Sequence, residues 1–214
     1  MRQALQHLKK NDAALSEVIS RVGAYRIEYR EPNFDTLVRS IVYQQVSGNV
    51  ARVIVGRLID AMPEGQLTAE NVLRLRRPRL RKCGLSEAKT DYIRDLARHA
   101  ADGKVIFEDL PGKADDEVIA TLTEVKGIGV WTAQMFLIFA LRRHDVLPTG
   151  DLGVRKAMQN IYGLPELPKP AEMERIAVPW RPYCSVASWY LWRSLDGIAA
   201  VSYTHLTLPT SDLV

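Results

Sequence analysis

The sequence predicts an all-α protein, and three observations favour this fold class. Apolar residues recur at helical spacing along most of the chain, as in the pairs Leu37 and Ile41 or Ile93 and Leu96. Alternating patterns typical of strands are scarce. Residues that cap helices, and glycines that end them, separate the apolar segments. With 214 residues, of which 47% are hydrophobic, the chain is long enough to bury a large core.

The expected helix boundaries follow from residue types. Helix N-caps are predicted where a side chain can accept a hydrogen bond from the first turn, at Asn33, Ser47, Thr68, Ser86 and Asp115. Helix ends are predicted at Gly84, Gly103 and Gly163. Prolines divide the C-terminal third into short pieces, and Pro182 is expected to open a last helix that runs through Leu195.

Composition excludes several classes of protein. The longest apolar run, Met135 to Leu141, is far shorter than the roughly 20 residues of a membrane span. We therefore expect a cytoplasmic protein that has no membrane partner. Cys83 and Cys184 lack neighbouring ligands at metal-binding spacing, so we expect two reduced thiols and no metal site.

A formal net charge of +4 is compatible with a polyanionic partner without requiring one. Six basic residues fall within nine positions: Arg74, Arg76, Arg77, Arg79, Arg81 and Lys82. Phosphate contact and a solvated helix surface both remain open interpretations of this cluster.

The most informative motif is a helix, a glycine hairpin and a second helix, predicted over residues 115–142. The first helix carries an apolar face, and Lys126-Gly127-Ile128-Gly129 interrupts it before an apolar helix from Val130 to about Arg142. Two glycines allow a sharp turn and a close approach to another surface. The unpaired N–H groups of the second helix then form an anion site that fits a DNA phosphate.

A second motif delivers an acid to the start of another helix. The loop Leu147-Pro148-Thr149-Gly150 leads to Asp151, which is followed by a helical pattern. Taken alone, an aspartate at this position is an N-cap. Only the combination with the glycine hairpin favours chemistry at Asp151.

The two motifs together resemble the helix-hairpin-helix (HhH-GPD) DNA glycosylases. The resemblance covers residues 30–197 and is strongest to the 3-methyladenine DNA glycosylase II family, in a short form without an N-terminal β domain. Supporting matches are residues 40–47, residues 83–86 with Lys89, and residues 179–183 leading to Trp189. The fold implied is two helical lobes flanking a cleft. Residues 1–35 and 151–198 would form one lobe and residues 36–150 the other.

The resemblance also implies roles for individual residues. Asp151 would stabilise the positive charge that develops on the sugar and activate the attacking water. Gly127, Gly129 and the backbone of Val130 would bind a phosphate near the lesion. Gln45 matches the wedge position, whose side chain fills the gap left by the flipped nucleotide.

The base pocket is predicted at aromatic and sulfur-containing side chains. Trp131, Trp189 and Met135 match pocket positions, and Tyr43 is a further candidate for the pocket wall. Packing in the core is the alternative for each of them. Relatives that cleave the strand carry a lysine two positions beyond the second hairpin glycine, where this chain has Trp131.

The resemblance implies a monofunctional glycosylase that removes alkylated bases from double-stranded DNA as a monomer. Such a protein would be associated with the bacterial nucleoid. No organic cofactor is implied, and a monovalent cation at the hairpin is compatible with the family. Three alternatives remain: a catalytically silent DNA-binding module, a bifunctional glycosylase and lyase, and a helical protein-interaction domain. Residues 199–214 abandon helical periodicity and look like translated sequencing-adapter sequence, so we predict a non-native or disordered tail without chemistry.

Overall fold

The computed structural model describes residues 1–196 of the chain. Within this range the regular structure is helical and contains no strand, which confirms the predicted all-α class. The predicted tail at residues 199–214 lies outside the described residues. None of the helices in the described range is long and apolar enough to cross a membrane.

The chain divides into two compact units. Within residues 1–196, the first unit combines Met1–Tyr29 with residues 137–196. Its helices are α1 (Arg2–Asn11), α2 (Ala13–Val22), α10 (Leu152–Tyr162), α11 (Pro170–Ala177) and α12 (Cys184–Ser194). Helix α12 packs against α2 and α10. The core of this unit includes the fully buried side chains of Leu8, Leu15, Trp180 and Tyr190.

The second unit is formed by Arg30–Phe136 within the described range. It holds α3 (Phe34–Tyr43), α4 (Gly48–Ala61), α5 (Ala69–Arg74), α6 (Arg77–Lys82), α7 (Glu87–Ala101), α8 (Asp115–Thr123) and most of α9 (Val130–Phe139). Helix α7 is the scaffold of this unit, because α3, α5 and α6 all pack against it. Its buried face, with Thr90, Ile93, Leu96 and Ala97, belongs to the core.

The unit boundaries differ from those predicted. The sequence places them after residues 35 and 150, whereas the structure divides at Tyr29/Arg30 and Phe136/Leu137. Residues 137–150 join the first unit through backbone and ring contacts with α12. Ser185 N donates to His144 O at 2.9 Å, and the ring of Phe139 stacks on that of Trp192 with centroids 5.7 Å apart.

Four predicted N-caps are confirmed. Asn33, Ser47, Thr68 and Ser86 each accept a hydrogen bond from a backbone N–H in the first turn of the following helix. The prediction for Asp115 is wrong: Ala114 has the extended backbone of a cap, and Asp115 is the first helical residue. Glu117 accepts from Ala114 N at 2.9 Å, and the acidic first turn suits the positive end of the helix.

Two other helix limits also need correction. Helix α12 begins at Cys184 and not at Pro182, because the backbone of Tyr183 is not helical and its N–H donates to Trp180 O. Helix α9 ends at Phe139 and not near Arg142, whose backbone turns to a φ of 57°. Gly163 does end α10, in the left-handed conformation that favours glycine.

Candidate active site

Asp151 lies where the loop of residues 144–150 meets α10, and its side chain is almost completely buried, with 1% exposed. Oδ1 accepts two hydrogen bonds, from Val154 N at 2.8 Å and from the indole Nε1 of Trp192 at 2.9 Å. The hydrogen bond from Val154 N is an N-cap interaction, so the structure confirms that Asp151 caps α10. Burial, the N-terminal end of α10 and two N–H donors together hold a carboxylate in a fixed orientation.

The loop that carries Asp151 is fixed to the first turn of α12. Val146 N donates to Ser185 Oγ at 3.0 Å, and Asp145 Oδ1 accepts from Cys184 N at 3.2 Å. Arg181 donates to Asp145 Oδ2 at 3.0 Å. Because the N–H groups of a first helical turn need acceptors, Asp145 serves α12 as a cap from outside the helix. Hydrogen bonds at Asp145 and Val146 therefore hold the loop in place within six residues of Asp151.

Burial and hydrogen bonding shift the pKa values of Asp145 and Cys184. Burial raises the pKa of the Asp145 carboxyl, but hydrogen bonds from Cys184 and Arg181 outweigh it, so the net shift is downward. Burial, followed by the interaction with Asp145, raises the pKa of the Cys184 thiol. Cys184 is thus a buried, protonated structural thiol and not a nucleophile.

The predicted glycine hairpin forms in the second unit. Helix α8 ends at Thr123 and α9 begins at Val130, and Gly127 has a φ of 81°. A Cβ at Gly127 would lie 2.2 Å from the ring of Tyr92, so both the backbone and the packing require glycine. A Cβ at Gly129 would meet no neighbouring atom within 4 Å. Gly127, Gly129 and Val130 are all exposed, so the hairpin presents backbone to solvent.

The turn that carries Gln45 lies against this hairpin. Gln45 is exposed and adopts a φ of 57°, which is uncommon outside glycine. Its neighbour Gln44 donates from Nε2 to the carbonyl oxygen of Gly127 at 3.0 Å. The structure thus brings together the predicted wedge and the predicted phosphate site.

The predicted pocket residues fall in both units. In the second unit, Trp131 and Met135 are half-buried and one turn apart on α9, and Tyr43 is a half-buried residue at the end of α3. In the first unit, Trp189 is buried, with its ring in edge contact with Tyr25 at 4.8 Å between centroids. A role for these four residues in a base pocket stays a prediction.

Similarity to known proteins identifies the family. The family model of the HhH-GPD superfamily of base excision DNA repair proteins matches residues 38–182, more than half of the chain. The chain belongs to this superfamily. The family prediction is therefore confirmed, and the all-α fold class agrees with it.

Several HhH-GPD relatives carry more specific names. DNA-3-methyladenine glycosylase 1 of Schizosaccharomyces pombe is 31% identical, with 88% of this chain and 85% of that protein aligned. The structure of the 3-methyladenine DNA glycosylase of that yeast in complex with abasic DNA has a TM-score of 0.80, covering 91% of this chain and 97% of the other. A DNA-3-methyladenine glycosidase from Bacillus halodurans has a TM-score of 0.83 at 34% identity, covering 94% and 92%.

The basic cluster that precedes α7 in this HhH-GPD chain is partly paired. Arg77 forms ion pairs with Asp91 and Glu87, and Arg81 lies 3.6 Å from Glu87. All six basic side chains are exposed. Ion pairs as exposed as these stabilise the fold little, so the cluster forms a solvated, basic surface.

Three residues of the site were not predicted. Trp192 has the spacing of a core residue on α12, so no sequence signal distinguishes it. Asp145 and Gln44 act through backbone groups that only the folded chain brings near. Gln44 lies inside the matched residues 40–47, next to the predicted wedge Gln45, and could have been found from that position.

Proposed function

We propose that this chain is a monofunctional DNA glycosylase that removes alkylated bases of the 3-methyladenine type from double-stranded DNA. It hydrolyses the N-glycosidic bond and leaves an abasic site. The observation that carries the proposal is the buried carboxylate of Asp151, held by Val154 and Trp192 at the start of α10 in a chain of this superfamily. The names of the similar proteins support the class of substrate.

Asp151 supplies the negative charge that this reaction needs. As the bond between sugar and base breaks, positive charge develops on the sugar, and a nearby carboxylate stabilises it. Because the carboxylate is buried, its field is less screened than it would be in water. The two N–H donors fix one oxygen, so the group needs little reorganisation during the reaction.

DNA is bound, in this proposal, through the exposed hairpin at Gly127, Gly129 and Val130. Backbone N–H groups at the start of α9 would contact a phosphate and position the duplex without reading its sequence. Gln45, exposed on the adjacent turn, would fill the space of the flipped nucleotide. The protein would act as a monomer.

The damaged base would be recognised by electron-rich side chains. Alkylated purines often carry positive charge, which favours stacking against indole rings such as those of Trp131 and Trp189. Met135, one turn from Trp131, and Tyr43 are the further proposed contacts of the base. A monovalent cation at the hairpin would be held by backbone carbonyl oxygens. The carbonyl oxygen of Val125 also accepts a hydrogen bond from Ile128 N, and that of Gly127 accepts one from Gln44 Nε2.

Two alternatives make different predictions. A silent DNA-binding module would bind duplex through the hairpin but release no base. A bifunctional enzyme would need an amine nucleophile, and the position that carries it in lyases holds the indole of Trp131. Incubation with methylated duplex DNA, followed by chromatography of the released bases, tests the proposal. Release of free methylpurines supports it, and release of no modified base overturns it.

A further inference from the structure

The first nine residues of α7 contact both parts of the proposed DNA-binding surface in the second unit. Lys89 Nζ donates to Val42 O at 2.7 Å and also to Gln44 O, at the end of α3. Three residues further along, the ring of Tyr92 packs on Gly127. Three residues beyond that, Asp95 Oδ2 accepts from Lys126 N at 2.9 Å. One helix therefore contacts the turn of Gln45 and the glycine hairpin.

A direct hydrogen bond also joins the turn of Gln45 to the glycine hairpin. Gln44 has its carbonyl oxygen bound by Lys89 and its side-chain amide bound to Gly127 O. A movement of the turn would have to break one of these hydrogen bonds or move the hairpin with it. Gln45, the next residue, is thus held in its left-handed conformation on a turn fixed from two directions.

A lysine at this point of α7 is unfavourable unless its contacts compensate. Lys89 lies in the first turn of the helix, where the macrodipole disfavours a cation. Burial lowers the pKa of its ammonium group. An apolar side chain would avoid both penalties, but it could not donate to two carbonyl oxygens at the negative end of α3.

We propose that Lys89 is a positioning residue for Gln45: together with Gln44, it holds the turn between α3 and α4 against the hairpin, so that phosphate binding and insertion of Gln45 occur in one fixed geometry. The inference rests on the proposed function, since it assumes that Gln45 enters the duplex. It adds a role for Lys89 in the insertion step and none in bond cleavage.

The test uses insertion as the readout, so it does not depend on catalysis. A duplex carries a tetrahydrofuran abasic-site analogue next to 2-aminopurine, whose fluorescence rises when a side chain disturbs its stacking. We expect Lys89→Met to lower this fluorescence change severalfold while changing affinity for undamaged duplex by no more than about twofold, because the phosphate contacts remain. Lys104→Met, which removes an exposed lysine from the same unit, is the matched control and should behave as wild type.

A double-mutant cycle shows whether Lys89 acts through Gln45. Gln45→Ala should abolish most of the fluorescence change, and adding Lys89→Met should lower it no further. Additive losses, a wild-type signal from Lys89→Met or a wild-type signal from Gln45→Ala would each overturn the proposal.

A second variant covers the case in which Lys89→Met does not fold. Gln44→Met removes the hydrogen bond to Gly127 O and should give the same loss of signal, so a wild-type signal from it would also overturn the proposal. Failure of the glycosylase function would appear separately, as wild-type protein that releases no base.

Discussion

The indole Nε1 of Trp192 donates a 2.9 Å hydrogen bond to Oδ1 of Asp151, while its ring stacks on Phe139. Both side chains of the hydrogen-bonded pair are buried, and the second donor to the same oxygen is Val154 N. One oxygen of the carboxylate is therefore fixed by the backbone of α10 and by a side chain of α12. A substitution of Trp192 therefore tests whether base release depends on the orientation of the Asp151 carboxylate.

Trp192→Phe should keep the ring stack and remove the N–H donor. A hydrogen bond to a charged group contributes about 1.5–3 kcal/mol, so we expect a loss of about 10- to 100-fold in the rate of base release. Affinity for duplex DNA should not change. Single-turnover kinetics and titration with DNA separate the two quantities.

The matched control for Trp192 is Tyr190→Phe, which removes the hydroxyl donor to Gly23 O from the same helix. If both variants slow base release equally, the effect of Trp192 is a general loss of packing in α12.

Substitutions at the two hairpin glycines should separate folding from DNA binding. Gly127→Ala places a Cβ 2.2 Å from the Tyr92 ring at a positive φ, and we expect it to destabilise the protein by about 1–3 kcal/mol or more. A Cβ at Gly129 would meet no neighbouring atom within 4 Å, so we expect Gly129→Val to keep the melting temperature near that of wild type.

DNA binding by Gly129→Val is the informative measurement at this site. The added side chain would obstruct the approach of a phosphate, so affinity should fall for all sequences alike and the salt dependence should become weaker. Weakening for some sequences only would contradict a backbone phosphate contact.

Asp145 should make stability depend on acid pH. Its pKa is lowered in the folded state, so its contribution to stability is present above the pKa of the unfolded chain and is lost as pH falls through the folded pKa. Asp145→Asn should therefore lower stability near neutral pH and flatten the decrease between neutral and acid pH. Thermal unfolding across this range measures it, and parallel curves for variant and wild type would contradict the assignment.

The position of Trp131 predicts the product. A lyase forms a Schiff base through an amine, and the matched position here has none, so water should be the only nucleophile. Borohydride should trap no covalent adduct with DNA, and strand breaks should appear only after alkali. A trapped adduct that disappears in Lys126→Ala or Lys156→Ala would contradict the monofunctional assignment.

The sequence predicted the parts of the structure that depend on local chemistry. Helical periodicity predicted the fold class, and Asn33, Ser47, Thr68 and Ser86 cap helices because a short polar side chain there meets the first-turn N–H groups. The N-cap prediction for Asp115 was wrong because a cap residue also needs an extended backbone, and Ala114 adopts it instead. The glycine hairpin was predictable because positive φ at Gly127 is a local requirement.

Long-range contacts explain what could not be predicted. The hydrogen bond from Trp192 to Asp151 joins residues 41 positions apart, and Lys89 reaches Val42 across 47. Neither partner has a local pattern that identifies the other. The boundary of the first unit was misplaced for the same reason, because His144 and Val146 are held by Ser185 on α12.

The most direct test of the central claim compares base release and DNA binding in Asp151→Asn. Asparagine caps a helix about as well as aspartate, and its amide oxygen can still accept from Val154 and Trp192, so the fold should be preserved. Only the charge is lost. We expect release of methylated bases to fall by at least about 100-fold, while affinity for duplex changes by no more than about twofold. An equal loss of release and binding, together with a lower melting temperature, would show that Asp151 is a structural cap and contradict its catalytic role.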